Sequence, residues 1–333
     1  MNILFYCPSK FSIKSKNLSS LGGIESLNIE LCRELVKFKL NIFLATYCNK
    51  LTKINGLTNI PIDKILTKKN KIKFDVIVSS NDPIIFNKFE NSKKILWMHN
   101  TLSIEKSIRK KKFFSIIKNK VFAVFVSKYL KEKTSNLYFF NKKKIISNFL
   151  SKIFQTQNIS FKRNQIIVWS VQRNKGLDET IKMWINKVYP KNNKIKFYIF
   201  GVDKTKYLTQ LKYLKKFNIF IFGRVPKEKL KKIYSKSLAM ICLGYDETFC
   251  LNALEANASG LPLLTFGKTA LKDYSINNYN SFVLKNFNEL FDKILLISKN
   301  GLNKKLILNS FQKSKEFRLE KIVKLWVNLL KEI

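Results

Sequence analysis

The sequence is poor in the residues on which metal and disulfide chemistry depend. It holds one histidine, His99, which excludes a His-rich metal site. Its five cysteines, Cys7, Cys32, Cys48, Cys242 and Cys250, are scattered and form no C-x-x-C pair. That pattern fits reduced, mostly buried thiols and neither a disulfide framework nor a zinc site. No apolar run approaches the roughly 20 residues of a membrane span. The start, M-N-I-L-F-Y-C-P, has neither the basic region nor the long apolar segment of a secretion signal, so a cytoplasmic protein is expected. Acids are scarce: 22 Asp and Glu face 63 Lys and Arg, a formal charge of +41. Such an excess calls for polyanionic partners, whether nucleic acid, acidic lipid or phosphorylated glycolipid. Lys, Asn, Ile and Phe are abundant throughout, so part of the excess is compositional, with lysine as the default surface residue.

The chain is long enough for two domains: 333 residues, 46% of them hydrophobic. Asn2 to Cys7 reads as a first strand. Gly22 and Gly23 then open a helix whose Ile24, Leu27, Leu31, Leu35 and Phe38 fall at helical spacing, and Asn41 to Thr46 is the next strand. Strand, glycine turn, helix and strand make a β-α-β unit. Phe74 to Ser80, Lys94 to Met98 and Val121 to Ser127 continue the pattern. Ser151 to Asn164 is a polar connector, after which a second α/β pattern starts at Gln165 to Val171. The boundaries expected are 1–155 for the first domain and 156–315 for the second. The amphipathic end, 316–333, has Phe317, Ile322, Leu325, Trp326, Leu329 and Ile333 on one face and is expected to return to the first domain.

Chemistry concentrates between Leu238 and Pro262. An apolar strand, L-A-M-I-C-L, leads into G-Y-D-E-T-F-C-L-N and then a short helix stopped by Gly260 and Pro262. Glu247 lies in the turn and Glu255 one turn into the helix. Between them, the amides near Phe249, Cys250, Leu251 and Asn252 form a helix N-terminus suited to an anion such as a diphosphate. An acid beyond a phosphate site can accept both hydroxyls of a ribose. An acid before it can reach a group carried beyond the phosphates. Spacing alone leaves a second reading open, in which both acids are solvated helix-end charges.

The run E-T-F-C-L-N-A-L-E-A-N-A-S-G-L-P-L-L resembles the E-x7-E signature of the glycosyl transferases group 1 family. Those enzymes are retaining glycosyltransferases with two Rossmann-like, doubly wound α/β domains facing a cleft, the GT-B architecture. The family favours glycines where this chain has Thr248 and Cys250. Three further stretches resemble the family in the expected order. Gly22 and Gly23 match its first glycine loop, His99 its histidine near the donor sugar, and Arg173 with Lys175-Gly176 its clamp for the donor diphosphate. Arg224, in R-V-P-K-E-K-L, stands where the family's loop borders the nucleotide base. The resemblance implies a nucleotide-sugar donor on the second domain and a glycan or glycolipid acceptor on the first. Glu255 would serve the ribose, and Glu247 and His99 the donor sugar. No D-x-D occurs, so no metal or other cofactor is expected.

Ser103 to Lys120 reads as a basic amphipathic helix, with Ile104, Ile108, Phe113, Phe114, Ile116 and Ile117 among lysines. It suits either an acidic membrane face, with the protein peripheral on the inner surface, or an ordinary helix packed on the sheet. Two alternatives stand beside the transferase: a nucleotide-sugar epimerase or other enzyme of the same fold, and a basic nucleic-acid-binding protein. The aromatic residues form no RNA- or DNA-binding motif, which disfavours the latter.

Overall fold

The computed structural model describes residues 1–14, 21–67, 72–156 and 159–333. Parts of the polar stretch from Pro8 to Leu21 and of the connector after Ser151 lie outside the described residues. The chain divides into two compact units, Met1–Phe149 with Leu319–Ile333, and Leu150–Arg318. Each is built around a largely parallel sheet. Among the described residues no helix is long and apolar enough to cross a membrane.

The first unit carries β1 (Asn2–Tyr6), β2 (Asn41–Thr46), β3 (Thr52–Ile54), β4 (Leu57–Pro61), β5 (Val76–Ser80), β6 (Lys93–Met98), β7 (Phe122–Phe125) and β8 (Lys142–Ile145). They pair in the order β3-β4-β2-β1-β5-β6-β7-β8, all parallel except β3 with β4. Ile3, Leu4 and Phe5, like Val76, Ile77 and Val78, are continuous buried runs, as strands covered on both faces must be. The β3–β4 hairpin was not anticipated, although its turn is Asn55-Gly56, with φ of 48° and 82°. Both residues there need the left-handed region, which Asn-Gly tolerates best.

The basic stretch departs from the single helix expected. It forms two short helices, Ile104–Arg109 and Lys112–Lys118, broken at Lys111, whose φ is 56°. Lys112 is held where the second begins: its Nζ donates to the Asn81 carbonyl at 2.9 Å and lies 3.4 Å from Asp82. The final helix spans Leu319–Glu332 and completes the first unit. Trp326 is fully buried, its ring 5.0 Å from Trp97 and 6.2 Å from Phe5. Phe317 does not share that face. It precedes the helix and packs in the second unit, 5.7 Å from Phe249 and 5.6 Å from Tyr274.

The second unit carries β9 (Ile166–Trp169), β10 (Lys196–Phe200), β11 (Ile219–Gly223), β12 (Ala239–Ile241), β13 (Leu263–Thr265) and β14 (Ser281–Val283), all parallel, in the order β11-β10-β9-β12-β13-β14. Two helices that the sequence reading passed over, Phe287–Asn300 and Lys304–Ser314, cover it. Each begins at an asparagine, Asn286 or Asn303, whose side chain accepts from amides of the first turn. Within the expected connector, Lys152–Gln155 is a short helix with Phe154 buried, and Lys231 Nζ donates to the Ile153 carbonyl at 2.6 Å.

Truncating a fully buried tryptophan leaves a cavity, so Trp326→Ala should cost about 3–5 kcal/mol. Leu325→Ala, on the exposed side of the same helix, should cost far less. Urea unfolding of both variants checks this; equal losses would show that the helix is not anchored through Trp326.

Candidate functional site

An open α/β sheet forms its ligand crevice where successive crossovers leave in opposite directions, because the loops part at the carboxyl ends of those strands. In the second unit this place lies between β9 and β12. The chain leaves β9 toward β10 and β11, then returns to pair β12 on the other edge of β9. The loops that meet there are Q-R-N-K-G and G-Y-D-E-T-F-C. Lys175, 9% exposed, ties them together: its Nζ donates to the Asp246 carbonyl at 2.6 Å. Gly176 permits that approach. Its φ is 100°, and a Cβ there would lie 2.6 Å from Leu243 Cδ1 and 2.9 Å from Tyr245 Cε2. Burial raises the Glu247 carboxyl above its usual range, while Lys175 opposes the shift and Asp246 adds to it. The ammonium thus lets a half-buried carboxylate stay close to the crevice.

The helix beyond this loop spans Leu251–Ala258. Its cap, Cys250, has φ of 67°, a conformation that glycine adopts more readily. Tyr274 fixes the turn by donating its hydroxyl to the carbonyls of Phe249, 2.9 Å, and Cys250, 3.0 Å. The Asn252 amide donates to the Ser170 carbonyl just past β9. Ala253 donates to the Cys250 carbonyl at 3.2 Å, so the Leu251 and Asn252 amides precede the first intrahelical bond. Glu255 is 2% exposed, its Oε1 2.7 Å from Lys227 Nζ. Sequence reading missed Lys227, which nothing separates from the other basic residues until the fold sets it beside a buried acid. It also missed Asn252 and Tyr274 as the groups that hold the helix start.

The remaining candidates are placed differently. Arg173 is exposed. Its guanidinium pairs with both Asp178 carboxylate oxygens at 3.0 Å and lies over the Tyr207 ring. Arg224 is exposed in the loop after β11. Among the described residues no three His, Cys, Asp or Glu side chains form a group that could hold a metal ion.

Gly22, Gly23 and His99 belong to the first unit, whose crossovers reverse between β1 and β5. A cavity of about 250 Å³ lies there, lined by Cys7, Ser9, Glu25, Asn81, Asp82 and Lys112 among others. Gly22 and Gly23 begin the Gly23–Leu35 helix at its edge. Gly22 has an ordinary φ of −64°, and a Cβ there would meet only the Glu25 carboxylate, the movable end of a flexible side chain, so neither backbone nor packing requires glycine. His99 sits just past β6, 4% exposed, its ring 4.5 Å from that of Trp97. Its backbone N–H donates to Asn81 Oδ1 at 2.7 Å, which links it to the cavity wall. Burial lowers the imidazole from 6.5 to about 3, so the ring is neutral at physiological pH.

Residues 151–313 match the model of the family described as glycosyl transferases group 1. No curated protein matches the sequence. Among solved structures, a sucrose-phosphate synthase from Thermosynechococcus elongatus superposes with a TM-score of 0.76 at 13% identity, over 99% of this chain and 98% of that one. A glycosyltransferase from Rickettsia africae ESF-5 gives 0.70 at 17% identity, over 99% and 98%. WaaG, a glycosyltransferase involved in lipopolysaccharide biosynthesis, gives 0.68 at 10% identity, over 98% and 99%. What these likenesses share with the chain is the fold, two parallel-sheet domains of the GT-B class.

The single histidine makes its own state easy to follow. A pKa of about 3 in the fold against 6.5 in the open chain means that the folded protein binds fewer protons. The stability this contributes is complete above pH 6.5 and is lost as pH falls toward 3. One imidazole resonance should therefore hold its neutral shift from pH 7 down to pH 5 by nuclear magnetic resonance. His99→Gln should remove that component of acid sensitivity. Titration near 6.5 would place the ring in solvent.

Proposed function

We propose that the chain moves a sugar from a nucleotide-diphosphate donor to a glycan, lipid-linked or lipopolysaccharide-type acceptor, with retention of anomeric configuration, a reading supported by the match of residues 151–313 to the glycosyl transferases group 1 model. The observation that carries this reading is the Lys175–Asp246 bond, which draws a buried cation, Glu247 and the start of the Leu251–Ala258 helix to the reversal point of one sheet. A diphosphate leaving group is a weak base, and cations with helix amides stabilise its growing charge. Lys175 and the Leu251 and Asn252 amides fill that role. Glu255, fixed by Lys227, receives the ribose hydroxyls. Glu247 faces the donor sugar and offsets positive charge developing at the anomeric carbon. The acceptor hydroxyl passes its proton to the departing phosphate oxygen, and no metal takes part. His99, neutral, offers hydrogen bonds to the donor sugar, not acid catalysis. The first unit's cavity, with Glu25 and Asp82 on its walls, receives acceptor hydroxyls.

The two glutamates divide the work in a measurable way. A ribose contact exists before and during reaction, whereas one that strengthens in the transition state shows in turnover. Removing a charge-assisted hydrogen bond costs about 1.5–3 kcal/mol, roughly tenfold or more in the constant affected. Glu255→Ala should lose affinity for the nucleoside diphosphate, and Glu247→Ala should bind it almost normally yet transfer slowly. Calorimetric titration beside turnover in the presence of a chelator tests both assignments. The reverse pattern, or activity that needs added manganese, would overturn them.

We also propose that the first unit attaches peripherally to anionic membranes at the cytoplasmic face. Ile108, Phe114 and Ile117 are exposed among Lys106, Arg109, Lys110, Lys111 and Lys118, and exposed Leu137 and Phe139 flank Tyr138, whose ring is 5.8 Å from Phe113. Each basic residue near such a surface is worth about 1 kcal/mol, and salt screens it. Sedimentation with acidic liposomes should weaken as salt rises, and Phe114→Ser should reduce it. Equal binding to neutral liposomes, or binding to neither kind, would count against attachment by charge.

A further inference from the structure

Two of the five cysteines meet at the candidate donor site. Cys242 follows β12 and Cys250 caps the Leu251–Ala258 helix, so they bracket the loop that carries Glu247. Their sulfurs are 3.5 Å apart, and both residues are buried. A disulfide needs about 2.05 Å. Cys242 is anchored, its N–H donating to the Leu264 carbonyl at 2.9 Å. Cys250, at 9% exposure against 1%, is the one nearer solvent, and it is held only through its carbonyl, which accepts from Tyr274 and Ala253.

We propose that Cys242 and Cys250 form a reversible disulfide that disables nucleotide binding at the head of the Leu251–Ala258 helix; the disabling effect rests on the donor-site reading above. With a peroxide as oxidant, the Cys250 thiol becomes a sulfenic acid and releases one water. The Cys242 sulfur then attacks it, forms the S–S bond and releases a second water. The two thiols together give up two electrons and two hydrogens, and a dithiol reductant returns them. Closing the bond draws Cys250 toward β12. That movement pulls on the carbonyl that Tyr274 and Ala253 hold, and shifts the Leu251 and Asn252 amides from the position an anion requires. The Cys242 contact and burial keep the Cys250 thiol well above its usual range. Its thiolate is therefore scarce, and oxidation is slow. A bound nucleotide, by holding the loop, slows it.

The test uses the full chain, reduced or treated with hydrogen peroxide. Peptide mapping after alkylation locates any disulfide, and calorimetry measures uridine, guanosine and adenosine diphosphates in turn. A Cys242–Cys250 crosslink is expected, with affinity for the preferred nucleotide weakened about tenfold or more, the scale of one lost charge-assisted hydrogen bond. Dithiothreitol should restore it. Cys242→Ala should bind the nucleotide normally and keep that affinity through peroxide treatment. Absence of the crosslink, or a crosslink that leaves affinity unchanged, overturns the proposal. A reduced protein that binds none of the three nucleotides counts against the donor site and the disabling effect, while the peptide map still decides whether the disulfide forms.

Discussion

A parallel sheet offers a crevice only where its crossovers change direction, and each unit of this chain has one such place. The rest of the chemistry follows from that constraint. Loops after β9 and β12 part at their carboxyl ends, and groups that bridge them must be long or backbone-directed. Lys175 spans the gap to a carbonyl beside Glu247, and Asn252 spans it from the other side to Ser170. Both bonds end on backbone atoms, so they fix loop conformation without occupying the carboxylate. The side chains left facing the crevice are those able to act on a ligand.

Charge has meaning in this molecule only through burial. With 63 basic residues, a lysine near any given point is expected by chance. Most exposed pairs, such as Lys128 with Glu132, contribute little. Lys175 and Lys227 differ because Lys175 is itself buried and Lys227 lies against a carboxylate withdrawn from water. The Lys227–Glu255 pair leaves the glutamate side chain 3% exposed, and bringing such a pair out of water costs free energy that a packed apolar pair would not. A buried pair of that kind is poor stabilisation but good orientation. It holds the carboxylate to one geometry.

Much of the fold was legible because buried parallel strands are continuous apolar runs. The β1 and β5 strands were visible from Ile3, Leu4 and Phe5 and from Val76, Ile77 and Val78 alone. The Asn55-Gly56 hairpin carried a sequence signal that went unused. The two helices after β14 also announced themselves, through Asn286 and Asn303. The break at Lys111 was not legible, since it depends on Lys112 being held by Asn81 and Asp82, far away in sequence. Within the site, Glu247, Glu255 and Lys175 stood out by spacing and motif. Arg173 stood out equally, yet Asp178 and Tyr207 claim its guanidinium. No local pattern separates the lysine that is buried from the arginine that stays exposed, because the fold at the end of β9 makes the choice.

The two places where the chain lacks the family's glycines have different physical consequences. Thr248 keeps an ordinary negative φ, so a side chain there strains nothing in the backbone. Cys250 does not: it holds φ at 67°, and Asp246 in the same loop holds 48°. For residues with a Cβ, each such conformation costs roughly 1–2 kcal/mol. A loop of this kind persists only when its surroundings over-determine it. Here they do: Lys175 grips the Asp246 carbonyl, Ala270 donates to the Glu247 carbonyl at 3.1 Å, and Tyr274 holds the carbonyls of Phe249 and Cys250. Where glycine would let the loop adopt its shape at no cost, this chain imposes the shape through four hydrogen bonds from three neighbours. The geometry of the turn between the two glutamates is therefore a property of the whole unit, and a substitution at Tyr274 or Lys175 reaches the site as directly as one in the loop itself.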